Sequence, residues 1–320
     1  GTSGWSPLQS ETFLVSGEPA SPSNMAVSQI NYRPALPTAS EAALGFDSRL
    51  DYEFIEIMNI GSADIDLAGV RFTAGIEFEF DLGSVRFLAP GERVVVVANR
   101  DAFLARYGTL FPGVRIAGEC TNQLENDGET VVLSAADGSD IRNFTYNDVA
   151  PWPEAADGDG MTLMLIDPTS NPDHNDPLSW RSSVTPGGVP GGSDGTQFAG
   201  DPDGDDDLNG IPNFLQYAIA PPGVPPVLPQ VDFAQCTVDE SMDDYLTLTF
   251  QRNQAADDAT THPEVSEDLV NWSGVGPSGL VFVSRTENGD GTESLVYRTD
   301  QPVAGQTRLF GRIRVVGSAP

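Results

Sequence analysis

Lysine is absent from this chain. All 16 basic residues are arginine, and they face 47 acidic residues, so the formal net charge is −31 over 320 residues. Nucleic-acid affinity depends largely on basic side chains that neutralise phosphates, so this composition argues against a nucleic-acid partner and against anionic lipid. An acidic coat of this kind predicts solubility in salt and attraction for divalent cations.

Cysteine and long apolar runs are also scarce. Cys120 and Cys236 are the only two cysteines, and they either join two domains as a disulfide or remain free thiols. The chain has no apolar run of membrane-spanning length, so we expect no membrane insertion. It begins at Gly1 without a signal-peptide pattern, and we therefore expect a piece of a longer protein whose export signal lies upstream.

Catalytic residue patterns are missing as well. His174 and His262 are the only histidines; both lie near proline in turn-like contexts without a G-x-S-x-G motif, which predicts surface or turn histidines. Glu53 and Glu56 are three residues apart on a predicted strand, so they point to opposite faces and cannot act as a carboxylate pair. We expect them at a solvated edge or in a salt bridge. These patterns indicate a protein that is not an enzyme.

Strand signals dominate what is present. Short runs rich in β-branched and aromatic residues alternate with Gly, Pro, Asn and Asp, which predicts an all-β chain. One helix is expected over residues 101–107, with Asp101 as its cap. We predict four regions: the end of an upstream domain and a linker (1–24), an immunoglobulin-like β-sandwich (25–183), a Gly/Pro-rich linker with a short helix (184–231), and a smaller second β-sandwich (232–320).

Six stretches of the region 25–183 form a recognisable series along the chain: "NYRPA", "YEFIEIMNIGSADIDLAGVRF", "FLAPGERVVVVANRDAFLARYG", "LENDGETVVLSAADGSDIRNFTYNDVAPWP", "MTLMLIDP" and "NDPLSWRSS". Through them, this region resembles a bacterial lamin-tail domain. The resemblance implies an accessory module of secreted and surface proteins, without catalytic residues, and it places Trp152 and Trp180 in the core or at its rim. Through "EVSEDLVNWS", "GDGTESLVYR" and "RLFGRIRVV", the last region resembles C-terminal β-domains of large exported bacterial proteins. The start, "GWSPLQSETFLV", resembles the last strand of a fibronectin-type module.

The stretch "DDDLNGIPNFLQYA" (205–218) predicts a calcium loop. Loops of the EF type take oxygen ligands from positions 1, 3, 5, 7, 9 and 12 and have glycine at position 6. A register that begins at Asp201 places Asp206 where glycine is needed and Pro212 at the last position, so it fails. The register from Asp205 places Gly210 at position 6 and gives these ligands: Asp205, Asp207, Asn209, the Ile211 carbonyl, Asn213 and Gln216.

The predicted loop resembles the calcium repeats of thrombospondin type 3. It departs from them at Gln216, an amide in place of a carboxylate, which predicts weak affinity, about 10⁻⁴ to 10⁻³ M. Asp201 or Asp203 adds another oxygen in this interpretation. An acidic linker that only caps a short helix is the alternative, and the acidic turns at 157–160 and 167–177 are other candidate cation loops.

We therefore expect a non-catalytic accessory, spacer and binding fragment of a large exported or cell-surface bacterial protein, with a hinge stiffened by Ca²⁺. Its partners would be other domains of the same polypeptide and an extracellular protein or polysaccharide. The alternative is a carbohydrate-binding or adhesive module that uses exposed aromatic side chains.

Overall fold

The protein is built mainly from paired β-strands. A computed structural model describes residues 17–158, 160–304 and 308–317. The stretch "GWSPLQSETFLV", which resembles the last strand of a fibronectin-type module, lies outside the described residues. Within these ranges the strands are β1 (Glu18–Pro19), β2 (Met25–Asn31), β3 (Phe54–Asn59), β4 (Ile65–Asp66), β5 (Arg71–Ala74), β6 (Phe78–Glu79), β7 (Phe87–Leu88), β8 (Arg93–Val97), β9 (Ile116–Glu119), β10 (Thr130–Ser134), β11 (Asp140–Thr145), β12 (Leu163–Leu165), β13 (Trp180–Ser182), β14 (Gln230–Val238), β15 (Ser241–Asn253), β16 (Ala259–Ser266), β17 (Leu280–Glu287), β18 (Thr292–Thr299) and β19 (Phe310–Gly317).

Helices are few and short. The α-helices are α1 (Ala39–Ala43), α2 (Arg100–Tyr107) and α3 (Asn213–Ile219). Single 3₁₀ turns cover Arg49–Tyr52, Phe80–Leu82, Glu154–Ala156, Pro168–Ser170 and Pro177–Ser179. None of the described helices has the length and apolar composition that a membrane span requires.

The first module is an immunoglobulin-like sandwich. Its main sheet has the order β13-β12-β2-β3-β8-β9, and its other sheets have the orders β11-β10-β5-β6 and β1-β4-β7. The core lies between the sheets and contains Trp180 and Trp152, which are 0% and 7% exposed. These two tryptophans therefore occupy the core positions that the resemblance implied.

The four consecutive valines of β8 show why this sheet is apolar on both faces. Val94 and Val96 contact the central core, whereas Val95 and Val97 pack against Phe103 and the rest of a second apolar cluster under α2. A strand covered on both faces reads as a continuous apolar run rather than as an alternating one.

Helix α2 begins one residue earlier than predicted, and its cap is different. The Asn99 side chain accepts hydrogen bonds from the N–H groups of Asp101 and Ala102, both at 3.1 Å. The prediction that Asp101 caps the helix is therefore wrong. Asp101 lies in the first turn instead, where its charge is favourable to the helix dipole.

The second module is built from a sheet of order β14-β15-β18-β17 and the pair β16-β19. A small core joins them, in which Leu246, Leu248 and Leu280 are fully buried. Helix α3 lies in the connection between the modules, as predicted. The four-region division stays a prediction, and the strands cross two of its boundaries. Strand β1 lies before residue 25 but pairs with β4 of the first module, and β14 begins at Gln230, two residues before the predicted start of the last region at 232.

Candidate metal centre

The loop that precedes α3 folds around the carboxylate of Asp205. Its Oδ1 accepts the N–H of Asn209 at 3.0 Å, and its Oδ2 accepts the N–H of Gly210 at 2.9 Å. Gly210 has a φ of +85°, a conformation that glycine adopts at little cost. An added Cβ would meet no atom within 4 Å, so the requirement for glycine at this position is conformational.

Four of the predicted ligands converge at this turn. Asn209 Nδ2 lies 3.0 Å from Asp207 Oδ2 and 2.5 Å from Gln216 Oε1, and Gln216 Nε2 lies 3.1 Å from Asp207 Oδ2. Asp207 Oδ1 shares the N–H of Asn209 with Asp205. The structure thus brings together residues that are up to eleven positions apart in the chain.

The other two predicted ligands have different contacts. The Asn213 side chain accepts the N–H of Asp206 at 3.0 Å and donates to the carbonyl of Asp201 at 3.1 Å. The N–H of Ile211 donates to Asn209 Oδ1 at 2.8 Å, and its side chain is 9% exposed. Asn213 therefore holds the start of the loop to its end and does not join the four converging side chains.

The donor set fits a hard cation. All four side chains offer oxygen, which is the ligand that Ca²⁺ prefers. In the described part of the chain, neither Asp205 nor Asp207 has an arginine partner. The Asn209 oxygen accepts the Ile211 N–H, and its Nδ2 faces Asp207 and Gln216, so this amide also holds the loop together. The described residues contain no cluster of three or more His, Cys, Asp or Glu that could hold a metal ion. The present set is of another kind, because it consists of two carboxylates and two amides.

Helix α3 transmits the position of the loop to the second module. Phe214 and Tyr217 form an aromatic cluster with Phe198. The Tyr217 hydroxyl lies 2.5 Å from Asp258 Oδ1. The backbone carbonyl of Tyr217 accepts a hydrogen bond from Asn253 Nδ2 at 2.9 Å. Burial and the adjacent Asp258 carboxylate raise the pKa of Tyr217, so the hydroxyl stays a neutral donor.

The same segment of the second module binds the first module through a buried ion pair. Arg181 in β13 donates to both oxygens of Asp257, at 2.6 and 2.8 Å, and to Asp194 in the linker at 2.8 Å. Its side chain is 1% exposed. Burial alone would lower the pKa of Arg181, but the two carboxylates raise it, so the guanidinium is charged. We call these three residues the junction triad.

The linker is attached to the first module rather than free. Asp194 Oδ2 accepts the N–H groups of Val184 and Thr185 at 2.7 and 2.8 Å. Gly191 donates its N–H to Glu56 Oε2 at 2.6 Å. Two buried carboxylates therefore hold the start of the linker against the main sheet.

The predicted solvent exposure of Glu53 and Glu56 is wrong, although their separation is as expected. They are 2% and 0% exposed. Glu56 binds Arg93 and Ser28, so the salt-bridge alternative holds for it, whereas Glu53 accepts the N–H of Leu124 on another side of the strand. Their side chains contact different elements and form no catalytic pair.

His174 lies in a turn, but it is buried, so the surface alternative is wrong for this residue. It is 4% exposed, contacts Phe144 and Trp180, and accepts the N–H of Val27 through Nε2 at 3.2 Å. Burial lowers its pKa to about 4, so at neutral pH it is an uncharged acceptor. The sequence around His174 does not predict this burial, because Val27, which donates the hydrogen bond, lies 147 residues away in the chain.

Among the tryptophans of the described residues, Trp272 lies closest to the surface. Its ring is partly exposed, and the guanidinium of Arg312 lies 3.8 Å from its centroid. One face is therefore occupied by a neighbour in this chain. The two cysteines, Cys120 and Cys236, are free thiols, so the disulfide alternative is wrong.

Comparison with known proteins covers part of the chain. Residues 18–148 match the family model of the Lamin Tail Domain. No curated protein and no solved structure matches the chain. The matched segment contains β1 to β11 and both layers of the first sandwich, and β12 and β13 complete the same main sheet beyond it. The part of the chain from residue 18 to residue 148 is thus similar to the lamin tail domain, an immunoglobulin-like and non-enzymatic fold family.

Proposed function

We propose that this chain is a non-catalytic accessory and spacer region of a large exported or cell-surface bacterial protein, and that Ca²⁺ binding at the loop before α3 stiffens the connection between its two β-modules. The observation that carries the proposal is the convergence of Asp205, Asp207, Asn209 and Gln216 directly in front of α3. A bound cation would neutralise two carboxylates that have no arginine partner in the described residues.

The contacts of α3 give the loop a mechanical role. The loop leads directly into α3, and Tyr217 of this helix forms a hydrogen bond with Asp258. The neighbouring Asp257 forms an ion pair with Arg181 of the first module. A loop that is ordered by Ca²⁺ would therefore limit movement at both ends of the linker. The Ile211 carbonyl and the nearby Asp201 and Asp203 remain proposed contributors to the oxygen set. Asn213 would contribute its oxygen only if the hydrogen bond from the Asp206 N–H were released.

The charge of the chain supports an extracellular site for this role. At −31, the protein repels phosphate polymers and tolerates salt. A site with only two carboxylates suits millimolar calcium, the level at which extracellular modules bind, at about 10⁻⁴ to 10⁻³ M. The proposed partners are other domains of the same polypeptide and an extracellular protein or polysaccharide.

Calcium should raise the melting temperature of the protein. With a Kd of about 10⁻³ M, adding 10 mM Ca²⁺ stabilises the folded state by about 1.4 kcal/mol. For modules of this size, that corresponds to an increase of about 3 °C or more. The measurement is thermal unfolding with and without Ca²⁺, on the parent and on the double variant Asp205→Ala/Asp207→Ala, which should lose the shift.

A matched control separates site binding from general charge effects. Asp47 and Asp64 are exposed and lie outside the loop, so Asp47→Ala/Asp64→Ala changes the net charge equally. This control should keep the full shift. A parent that shows no shift, or equal shifts in all three proteins, would remove calcium from the proposal.

The alternative function is a carbohydrate-binding or adhesive module. It needs an aromatic ring with a free face, because sugars stack on such rings. Trp272 has one face covered by Arg312, and Trp152 and Trp180 are in the core. Phe233, which is 61% exposed on the edge strand β14, is the ring that this alternative would use. The tryptophan positions favour the accessory and spacer function.

A further inference from the structure

The second module is open along one side. Strand β14 ends the four-stranded sheet, and β19 ends the two-stranded sheet that packs on it. The two strands lie on the same side, because a Cβ placed on Gly311 of β19 would come within 2.9 Å of Val231 of β14. Among the described residues, neither strand has a second ladder partner. On β14 the N–H of Phe233 donates to the Asp232 carboxylate, whereas the backbone of β19 makes no hydrogen bond outside its ladder with β16 in this part of the chain.

The open side exposes apolar side chains that belong to the core face. Phe233 pairs in register with Leu246 and therefore points to the same face as that fully buried residue. Phe233 is nevertheless 61% exposed, and Val231 is 44% exposed. A two-stranded sheet cannot cover all four strands opposite it, so these two side chains are left uncovered at the edge.

The outer face of β19 is positively charged. Arg312 and Arg314 alternate with the core-facing Ile313, and their side chains are 43% and 48% exposed. Both arginines bind the same carboxylate, Glu264, at 2.7 and 2.9 Å. Glu264 is the only carboxylate that these two arginines bind among the described residues, so the three side chains carry one net positive charge in a strongly acidic chain.

We propose that the free edge of β19 binds an extended segment of a partner protein in which apolar and acidic residues alternate. Added as a strand, such a segment would satisfy the open backbone groups of β19. Its apolar side chains would cover Val231 and Phe233, and its carboxylates would lie beside Arg312 and Arg314 as cross-strand neighbours.

The charges disfavour a second copy pairing through the same strand. Antiparallel pairing of two β19 strands about Ile313 would place Arg312 of one copy opposite Arg314 of the other, and like charges directly opposite each other are destabilising. A partner with acidic residues at alternate positions has no such conflict. The proposed surface uses Val231, Phe233, Arg312 and Arg314, which lie outside the calcium loop, whereas Val315 and Gly317 at the far end of β19 lie against helix α3.

The test uses two fluorescent octapeptides, one alternating glutamate with valine and the other alternating lysine with valine. Fluorescence anisotropy should show the glutamate peptide binding at least about 10-fold more tightly, a difference of about 1.4 kcal/mol. General attraction to a chain of −31 charge would favour the lysine peptide, so the expected preference opposes the overall charge.

Two variants locate the binding surface. Arg312→Glu/Arg314→Glu should reverse the preference, whereas Arg71→Glu/Arg100→Glu, which makes the same charge change on the first module, should leave it unchanged. Phe233→Ser should weaken binding of the glutamate peptide at least about 5-fold, since it removes an apolar contact.

Three results would overturn the proposal: equal affinity for both peptides, no saturable binding, or binding that neither the β19 variant nor Phe233→Ser alters. A concentration-dependent dimer in sedimentation that Phe233→Ser abolishes would also overturn it, because a second copy would then occupy the edge.

Discussion

Replacing Arg181 with alanine should lower the free energy of unfolding by about 3 to 5 kcal/mol. The substitution leaves the buried carboxylate of Asp194 and the partly buried one of Asp257 without a counter-ion, at the point where the linker and both modules meet. Breaking one partner of a buried ion pair costs more than the pair itself contributes, because the remaining charge is desolvated. Urea unfolding followed by circular dichroism measures the change.

Two further variants test this explanation. Arg100→Ala removes an exposed arginine at the first position of α2 and should change stability by less than about 0.5 kcal/mol. Combining Arg181→Met with Asp194→Asn and Asp257→Asn removes all three charges and should recover part of the lost stability. An Arg181→Ala protein as stable as the parent would show that the junction triad does not hold the modules together.

The free energy of unfolding of the parent should fall as the pH rises, and Glu53→Gln should abolish the part of this fall that Glu53 causes. Burial raises the pKa of Glu53 from 4.5 to about 8, with Glu129 and Glu125 adding to the effect. The folded state therefore holds a proton that the unfolded state releases above pH 4.5. The stability of the parent should fall between about pH 4.5 and pH 8, by as much as about 5 kcal/mol from this residue.

The glutamine variant stays neutral across that range and can still accept the Leu124 N–H, which Glu53 binds at 2.9 Å. Its free energy of unfolding should match that of the parent near pH 4.5 and exceed it at pH 8. Glu79→Gln, on the exposed side of β6, is the control and should follow the parent at every pH. If parent and Glu53→Gln curves run parallel from pH 4.5 to 8, Glu53 ionises as an ordinary surface group.

Local patterns predict much of this fold. The valine run of β8, the strands around Glu53 and Glu56, and the short helix after Pro212 all follow from residue types within a few positions of one another. The spacing of aspartate, asparagine and glycine from Asp205 likewise predicts which side chains meet in the loop.

The remaining features depend on contacts between distant parts of the chain. Arg181 and Asp257 are 76 residues apart, so no local pattern indicates their ion pair. The one local signal is an arginine next to Trp180 in a short strand. His174 is buried by β2, which no local motif indicates. Asn213 fits a ligand position by spacing, yet its side chain is taken by Asp206 and Asp201. Spacing fixes which residues are near one another, but not the hydrogen bond that each side chain makes.

Calcium titration calorimetry on the parent and on Asp205→Ala/Asp207→Ala tests the central claim most directly. At about 0.15 M salt, where weak surface attraction is largely screened, the parent should bind one Ca²⁺ per chain with a Kd of about 10⁻⁴ to 10⁻³ M. The double variant should show only background heat, and Asp47→Ala/Asp64→Ala should bind like the parent. Equal heats for the parent and the double variant would contradict a calcium site at the loop before α3.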